Sequence, residues 1–487
     1  MRQARLFAAR CCGFPFLLTV HYNGGMGTQI NTGRIASDQR NRKPQPKLWT
    51  PIFIITILVT FAGFTTAQGL NTGMSVYVDH IGGTATFTGV LSIVFSGAGA
   101  IARLIIGPAI DSRGRRVIML IGSAALFAGT LLPGLFPGEA TLVVGRAIQG
   151  VGFAAVTTAA ATAAADALPS ARMGEGIGYY GLGQALATSV GPAFALFLIG
   201  TDPAENLFFA LAAVAAIAVV LSIACRYEKH LELLPPEAVY RRTAEAALAA
   251  KKTAEQVGAT DAPAIEAAAE PAAGASADSA RTGDPCAKKP HRFPAFDILE
   301  PGALPGAIPI LFLSAAFGFA VVFIGLYGTT IGIANGGIFY TFSAATMILV
   351  RLKSKAFMDT MLPIKVFAVS VASGIVSFSL LLAAPAVPTL FYVSGLFYGV
   401  CLGVGLSINQ SIAVKNTPPD RWGAGNGLFL LCNDFGIGAA GFLWGVTNDA
   451  FGFGVTIVLA MCCIAASYAL AWVVYPADAK FEKARGK

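Results

Sequence analysis

"GPAIDSRGRR", residues 107–116, sets Asp111, Arg113, Arg115 and Arg116 within ten positions. The chain around it is nearly free of charge: 12% of its residues are charged and 55% are hydrophobic. A soluble globular protein carries about 25% charged residues. The runs on either side, 85–109 and 117–135, are apolar and long enough to cross a bilayer as helices. The stretch therefore reads as a turn between two membrane spans.

Working outward, the chain divides into twelve such runs, near 49–73, 85–109, 117–135, 140–165, 175–199, 206–225, 304–330, 336–352, 363–384, 389–413, 424–447 and 452–475. In hydrocarbon every backbone polar group must bond internally, so only helices and closed barrels cross. These runs are continuously apolar rather than alternating, which selects helices. The expectation is an all-α membrane protein of twelve spans, numbered 1 to 12 below.

The loops orient it. One alternate set holds Arg113, Arg115, Arg116, Arg172, the long 226–303 segment, Arg351, Lys353, Lys355, Lys415 and Arg421. The other set, near 74–84, 136–139, 200–205, 331–335, 385–388 and 448–451, contains no Lys or Arg but carries Asp79, Glu139, Asp202, Glu205 and Asp449. Positive loops stay inside, so a multi-pass protein of the cell membrane with both termini cytoplasmic is expected. The net charge of +8 belongs to these loops and calls for no nucleic-acid partner. No C-x-x-C occurs among the eight cysteines, so neither a metal nor a cofactor is implied.

The expected organisation is a basic, disordered tail over 1–48 and a first six-helix bundle over 49–225. A cytoplasmic linker over 226–303 follows, then a second bundle over 304–475 and a basic tail over 476–487. Within the linker, "PPEAVYRRTAEAALAAKKTAEQV" reads as a helix with proline in its first turn, and the residues beyond Gly258 read as disordered.

The two bundles repeat. At an offset of 249, Pro169, Arg172, Gly174, Gly176 and Gly178 match Pro418, Arg421, Gly423, Gly425 and Gly427; at 248, Arg103, Leu104 and Asp111 match Arg351, Leu352 and Asp359. Repeats of the same orientation place a binding site at the interface of the halves, about which they rock.

These motifs carry a resemblance. "GPAIDSRGRR" resembles the G-x-x-x-D-x-x-G-R-R loop signature of the major facilitator superfamily. "GRAIQG", residues 145–150, resembles that family's R-x-x-Q-G signature, and "GQALATSVGP" resembles its antiporter signature through Gly183, Gly191 and Pro192. The chain departs from the pattern at Ala187, where glycine is usual, and at "AFAL" after Pro192. Over 49–475 the resemblance implies a twelve-helix transporter of the drug- and metabolite-efflux branch. It would act as a monomer by proton-coupled antiport, with spans 2 and 11 packed across the interface.

In that setting the loop has two readings. Arg113, Arg115 and Arg116 hold it in the cytoplasm. Asp111 contributes little to orientation, and the resemblance places it against the N-terminus of span 11 near Gly423. Gly107 would permit close helix approach and Gly114 the turn, while Arg115 is expected to pair with Asp166, so that the loop latches the halves together when the cytoplasmic side closes.

Inside the spans, Arg103, Arg146 and Asp434 are costly to bury, at about 2.5–3.5 kcal/mol each, and mark function by default. Arg146, with Gln149 and Gly150, occupies the span 4 signature. It reads as a coupling residue or as a structural one bonded to backbone carbonyls. Asp434 can bind a proton from one side and release it to the other. Arg103 lies eight residues before Asp111 and Asp434 eleven after Gly423, depths of about 12 and 16 Å. A pairing of the two is therefore expected. The competing reading has Arg103 reaching to the surface and Asp434 bonded within its own half. Gln68, Asn71, Gln184 and Asn433 are the candidate amides of a substrate cavity, and span 1 lacks a carboxylate.

A small-molecule exporter driven by protons is the leading expectation, with a proton-coupled uptake symporter next. A non-transporting sensor or scaffold has no need of the buried charges, an ATP-driven pump lacks its G-x4-G-K-[ST] loop, and no catalytic constellation suggests an enzyme.

Overall fold

The computed structural model describes residues 10–11, 14–15, 47–169, 172–199, 203–225, 231–236, 239–256, 300–333, 335–358, 361–418 and 422–480. The tail over most of 1–48, the linker beyond Gly258 and the last residues of the C-terminal tail lie outside these. Residues 1–47 form a separate unit in which Arg10–Cys11 pairs antiparallel with Phe14–Pro15.

The membrane unit is all helical. Span 1 is Pro51–His80, span 2 Ala85–Arg113, span 3 Arg115–Leu135, span 4 Glu139–Ala167, span 5 Met173–Ile199 and span 6 Asn206–Ala224. A linker helix, Val239–Gln256, follows. Span 7 is Leu304–Thr330, span 8 Gly337–Met358, span 9 Pro363–Ala383 and span 10 Thr389–Lys415. Spans 11 and 12 run together as Trp422–Val474, broken only where Gly452 leaves helical geometry at φ 79°, ψ 173°. Among the described residues ten helices are long and apolar enough to cross a bilayer. The longest of them counts twice at the Gly452 break, and the shorter apolar stretch Gly337–Arg351 lies within span 8, giving twelve segments.

Local chemistry sets several ends. Thr50 and Thr84 cap spans 1 and 2, accepting from the Phe53 and Phe87 N–H at 3.2 and 3.1 Å. Gly114 (φ 87°) turns the chain between spans 2 and 3 in one residue, a conformation that favours glycine. Three boundaries differ from the sequence reading. Span 1 continues past 73 to His80 because Tyr77 and Val78 are buried, Tyr77 edge-on to Phe208 at 4.8 Å. Span 8 runs beyond 352 to Met358, so Arg351, Lys353 and Lys355 are helical rather than loop residues. Span 11 continues past 447 and carries Asp449 in helix.

Small residues let spans cross closely, the usual solution in lipid. A Cβ on Gly122 or Gly152 of spans 3 and 4 would meet the opposite backbone at 2.6 or 2.5 Å. A Cβ on Gly191 in span 5 would lie as close to Thr65 of span 1, at 2.5 Å, and one on Gly183 would meet Ile57 there at 3.2 Å. Pro192, inside span 5, is buried. The antiporter-like stretch thus fits span 5 to span 1. A second-half core centres on span 7, with Phe317, Phe319, Phe323 and Tyr327 buried; the first half has two smaller clusters. Among the described residues the halves meet mainly where span 1 packs on 7, span 2 on 11 and span 5 on 8. In the first of these the Thr72 hydroxyl donates to the Val321 carbonyl at 2.6 Å.

Candidate functional site

Spans 2 and 11 face each other with stripes spaced by three, four or seven residues, which keeps each on one helix face. The stripe on span 2 is Gly89, Ser92, Ser96, Arg103 and Gly107; that on span 11 is Gly445, Gly441, Gly438, Asp434 and Gly427. The even number of spans puts Leu48 and Tyr475 at one end of the bundle, called here the termini end. At the far end the stripes touch. A Cβ on Gly445 would meet the Ala85 carbonyl at 2.4 Å, one on Gly89 the Gly441 carbonyl at 2.7 Å, and one on Gly438 the Ser96 side chain at 2.2 Å. There the Asp449 carboxylate accepts the Ala85 and Thr86 N–H at 3.2 and 2.7 Å, capping span 2 from across the interface. Toward the termini end the stripes part: a Cβ on Gly107 or Gly427 would meet nothing within 4 Å. Gly107 was expected to permit close approach and instead borders open space.

Arg103 and Asp434 stand between these regions. The Arg103 Nη2 donates to Asp434 Oδ2 at 2.7 Å, with the side chains 18% and 29% exposed. Asn433 Nδ2 donates to Asp434 Oδ1 at 3.2 Å, and Asn433 itself accepts from the Ser314 hydroxyl of span 7 at 2.8 Å. Both guanidinium and carboxylate line a cavity of about 30 Å³ together with Gln68, Asn71, Ser96 and Gly150, large enough for one or two waters. Two of the four amide candidates, Gln184 and Asn433, are not among the lining residues; Asn433 orients Asp434 from the side.

Arg146 is fully engaged elsewhere. It is 1% exposed and donates to the Asn71 Oδ1, to Gln149 Oε1 at 3.1 Å and to the Leu91 carbonyl at 3.3 Å, with its guanidinium 4.3 Å from the Phe95 ring centre. Asn71 in turn donates to Gln68 at 3.3 Å. The arginine thus fixes the amide wall of the cavity and does not line it. Gly150 serves packing: a Cβ there would lie 2.2 Å from the Phe95 carbonyl.

Two of the loop arginines bond to first-half helices. Arg115 Nε donates to Asp166 at 3.1 Å, and Arg116 Nη2 to the Ile223 carbonyl at 2.9 Å. Arg115 also lies over the Tyr240 ring of the linker helix at 5.0 Å. Spans 3, 4 and 6 and the linker are joined in this way. Arg115 and Asp166 pair as expected, and both belong to one half, so this bond does not itself cross between the halves. The Asp111 side chain and the residues around Gly423 lie outside the described side chains.

Two residues were not singled out from sequence. Asp449 was one acid of a far-side loop, and nothing local marks it as a cap on span 2. Arg351, counted with the loop cations, donates its Nη1 to the Gly181 carbonyl of span 5 at 3.0 Å. Its match to Arg103 in the repeat was the available signal.

A twelve-helix bundle in two parallel halves, with an ion pair and a polar cavity at their interface, defines a membrane transporter of the alternating-access kind. A profile of the Major Facilitator Superfamily matches residues 52–440, and the chain belongs to that family. Its members are secondary transporters that carry small molecules across a bilayer. The chain is 26% identical over 420 residues to the staphylopine export protein of Staphylococcus aureus (strain Mu50 / ATCC 700699), covering 82% of this chain and 90% of that protein. It is 28% identical over 109 residues to the uncharacterized MFS-type transporter YhcA of Bacillus subtilis (strain 168), which is 22% of this chain and only 20% of that protein's length. The fold is similar to that of the nucleoside transporter NupG, with a TM-score of 0.58 at 14% identity, over 88% of this chain and 100% of that one.

Proposed function

We propose that the chain exports a small polar solute in exchange for protons, with both termini in the cytoplasm. The observation that carries this reading is the Arg103–Asp434 pair, which joins the halves and lines the cavity between them. A proton arriving at Asp434 removes the counter-ion of Arg103, and a lone guanidinium at that depth is costly. The loss weakens the contact between spans 2 and 11, so a proton taken up from outside drives the return step, and its release to the cytoplasm restores the pair in the state that accepts solute. Each proton moving down a membrane potential supplies about 2.3 kcal/mol per 100 mV.

Export is favoured by the likeness to a protein named for export over nine-tenths of its length. The amides Gln68 and Asn71 with Ser96 suit a polar cargo. The orientation follows from the cation-free loops. Arg146, with each of its three nitrogens donating to an acceptor, acts as scaffold for the site.

The test uses right-side-out and inverted vesicles with an imposed pH gradient and a panel of labelled amino acids, organic acids and organic cations. Proton-driven accumulation of one class in inverted vesicles, lost in Asp434→Asn, is the expected result. Gradient-independent movement, or accumulation only in right-side-out vesicles, would replace antiport export with a facilitator or a symporter.

A further inference from the structure

The cavity between the halves is lined by one cation and one anion, and the bond between them leaves both able to take other partners. Arg103 gives Asp434 a single hydrogen bond, from Nη2 to Oδ2 at 2.7 Å. Among the described residues no other acceptor meets the guanidinium, and at 18% exposure its remaining N–H groups are open to the cavity it lines. The second Asp434 oxygen accepts from Asn433 at 3.2 Å. Two more polar groups line the cavity with donors to spare. The Gln68 amide oxygen accepts from Asn71 at 3.3 Å, which leaves its NH2 group for another partner, and the Ser96 hydroxyl stands on the same stripe of span 2 as Arg103. Phe95, Phe153 and Ile437 supply apolar lining. The pair lies toward the termini end, where Gly107 and Gly427 border open space.

Charge balance selects the solute that can enter. An anion alone would draw Arg103 away and strand the Asp434 carboxylate, and a cation alone would strand the guanidinium. Either leaves a bare charge in a cavity that holds one or two waters. A neutral solute leaves the pair closed. A solute carrying an ammonium and a carboxylate side by side exchanges one partner for another at both charges and leaves neither bare. In an α-amino acid the two groups sit on a single carbon, so its charges lie about as close together as those of the closed pair.

We propose that the solute is a zwitterion of the α-amino-acid type, held with its carboxylate on Arg103 and its ammonium on Asp434. The inference rests on the coupling reading above and names the solute of that same site. A proton reaching Asp434 from the far end evicts the ammonium, so solute and proton exclude each other at one carboxylate. The groups packed around Asp434 leave the competition to these two. Span 2 brings Arg103, and span 4 brings Arg146, held behind Phe95 by its own acceptors. Spans 1 and 7 bring no charged residue over 51–78 and 304–330. Lys365 of span 9 and Lys415 of span 10 stand at the termini end of their helices. Cys432 beside the pair, and Tyr398 and Cys401 of span 10, carry no charge at neutral pH.

The test compares three mixtures that cover the common uncharged side chains: free amino acids, their carboxamides, which are cations, and their N-acetyl derivatives, which are anions. Each is added at the same total concentration to the full chain in detergent micelles, and the midpoint of thermal unfolding is read. At neutral pH the free amino acids are expected to raise the midpoint with the logarithm of their concentration, and the other two mixtures to leave it unchanged. The double variant Arg103→Gln, Asp434→Asn should lose the rise, which separates binding at the pair from the general stabilisation that excluded osmolytes give. Acidification should weaken the binding about tenfold per pH unit below the titration of Asp434, one proton replacing one ammonium. A rise from the carboxamides or the N-acetyl derivatives that equals the rise from the free amino acids overturns the inference. So does no rise from any of the three. Either result leaves proton coupling to be decided by the vesicle measurement above. The order of the three mixtures in the wild type decides the matter even where the double variant does not fold.

Discussion

The two ends of the span 2/11 interface differ sharply although one pair of helix stripes builds both. At the far end Gly89, Gly438, Gly441 and Gly445 bring backbone and side chains to distances a methyl group could not enter, and Asp449 caps span 2. At the termini end Gly107 and Gly427 continue the stripes into open space. Small residues at both ends but contact at one is what an alternating-access protein needs. Each end must be able to close, and only one is closed at a time. The structure is thus of the state closed at the far end, and the Arg103–Asp434 pair is where contact gives way to opening.

The largest effect is expected at that junction. Asp434→Asn should abolish transport driven by a pH gradient while leaving protein levels in the membrane normal, measured as uptake by energised inverted vesicles. Next comes the closed end. A Cβ on Gly441 would lie 2.6 Å from the Ser92 hydroxyl, so Gly441→Leu overpacks the seam. The cost of about 1–3 kcal/mol corresponds to a roughly 5- to 150-fold shift toward the state open at the far end. Alkylation of a cysteine placed at Ser96 should accelerate accordingly; unchanged protection would mean the far end does not open.

Asp449→Ala removes a charged cap, a smaller loss of about 1 kcal/mol. It should speed the same alkylation about fivefold, since about 1.4 kcal/mol is tenfold. The smallest effect on stability is expected for Gly427→Ala. The new methyl meets nothing, so the midpoint of thermal unfolding should stay unchanged. Transport should nonetheless fall, because the methyl obstructs closure of the termini end in the other state. Full activity in Gly427→Ala would mean that this end closes without contact between the stripes.

Much of this was legible in the sequence, and the physical reasons separate what was from what was not. Apolar run length specifies spans, since hydrocarbon tolerates no unsatisfied backbone, and the one-residue turn at Gly114 was visible in "GPAIDSRGRR". The meeting of Arg103 with Asp434 followed from helical rise, which converts residue number into depth, together with the packing of spans 2 and 11 that the resemblance implies. Asp449 was opaque, because its partners, the Ala85 and Thr86 amides, are 364 and 363 residues away and a cap supplied from another helix leaves no local pattern. Arg351 was hidden by its neighbours Lys353 and Lys355, which made it look like a loop cation, although the repeat had already aligned it with Arg103. Arg115 and Asp166 were rightly paired by position, and the structure shows the bond at 3.1 Å.

The claim that Asp434 takes up a proton at the junction of the halves can be read directly by infrared difference spectroscopy on the reconstituted full chain, without knowledge of the solute. Acidification should bring up a protonated-carboxyl C=O band that is absent in Asp434→Asn and shifted in Arg103→Gln, the partner within 2.7 Å. A wild-type band retained unchanged in Asp434→Asn would contradict the account.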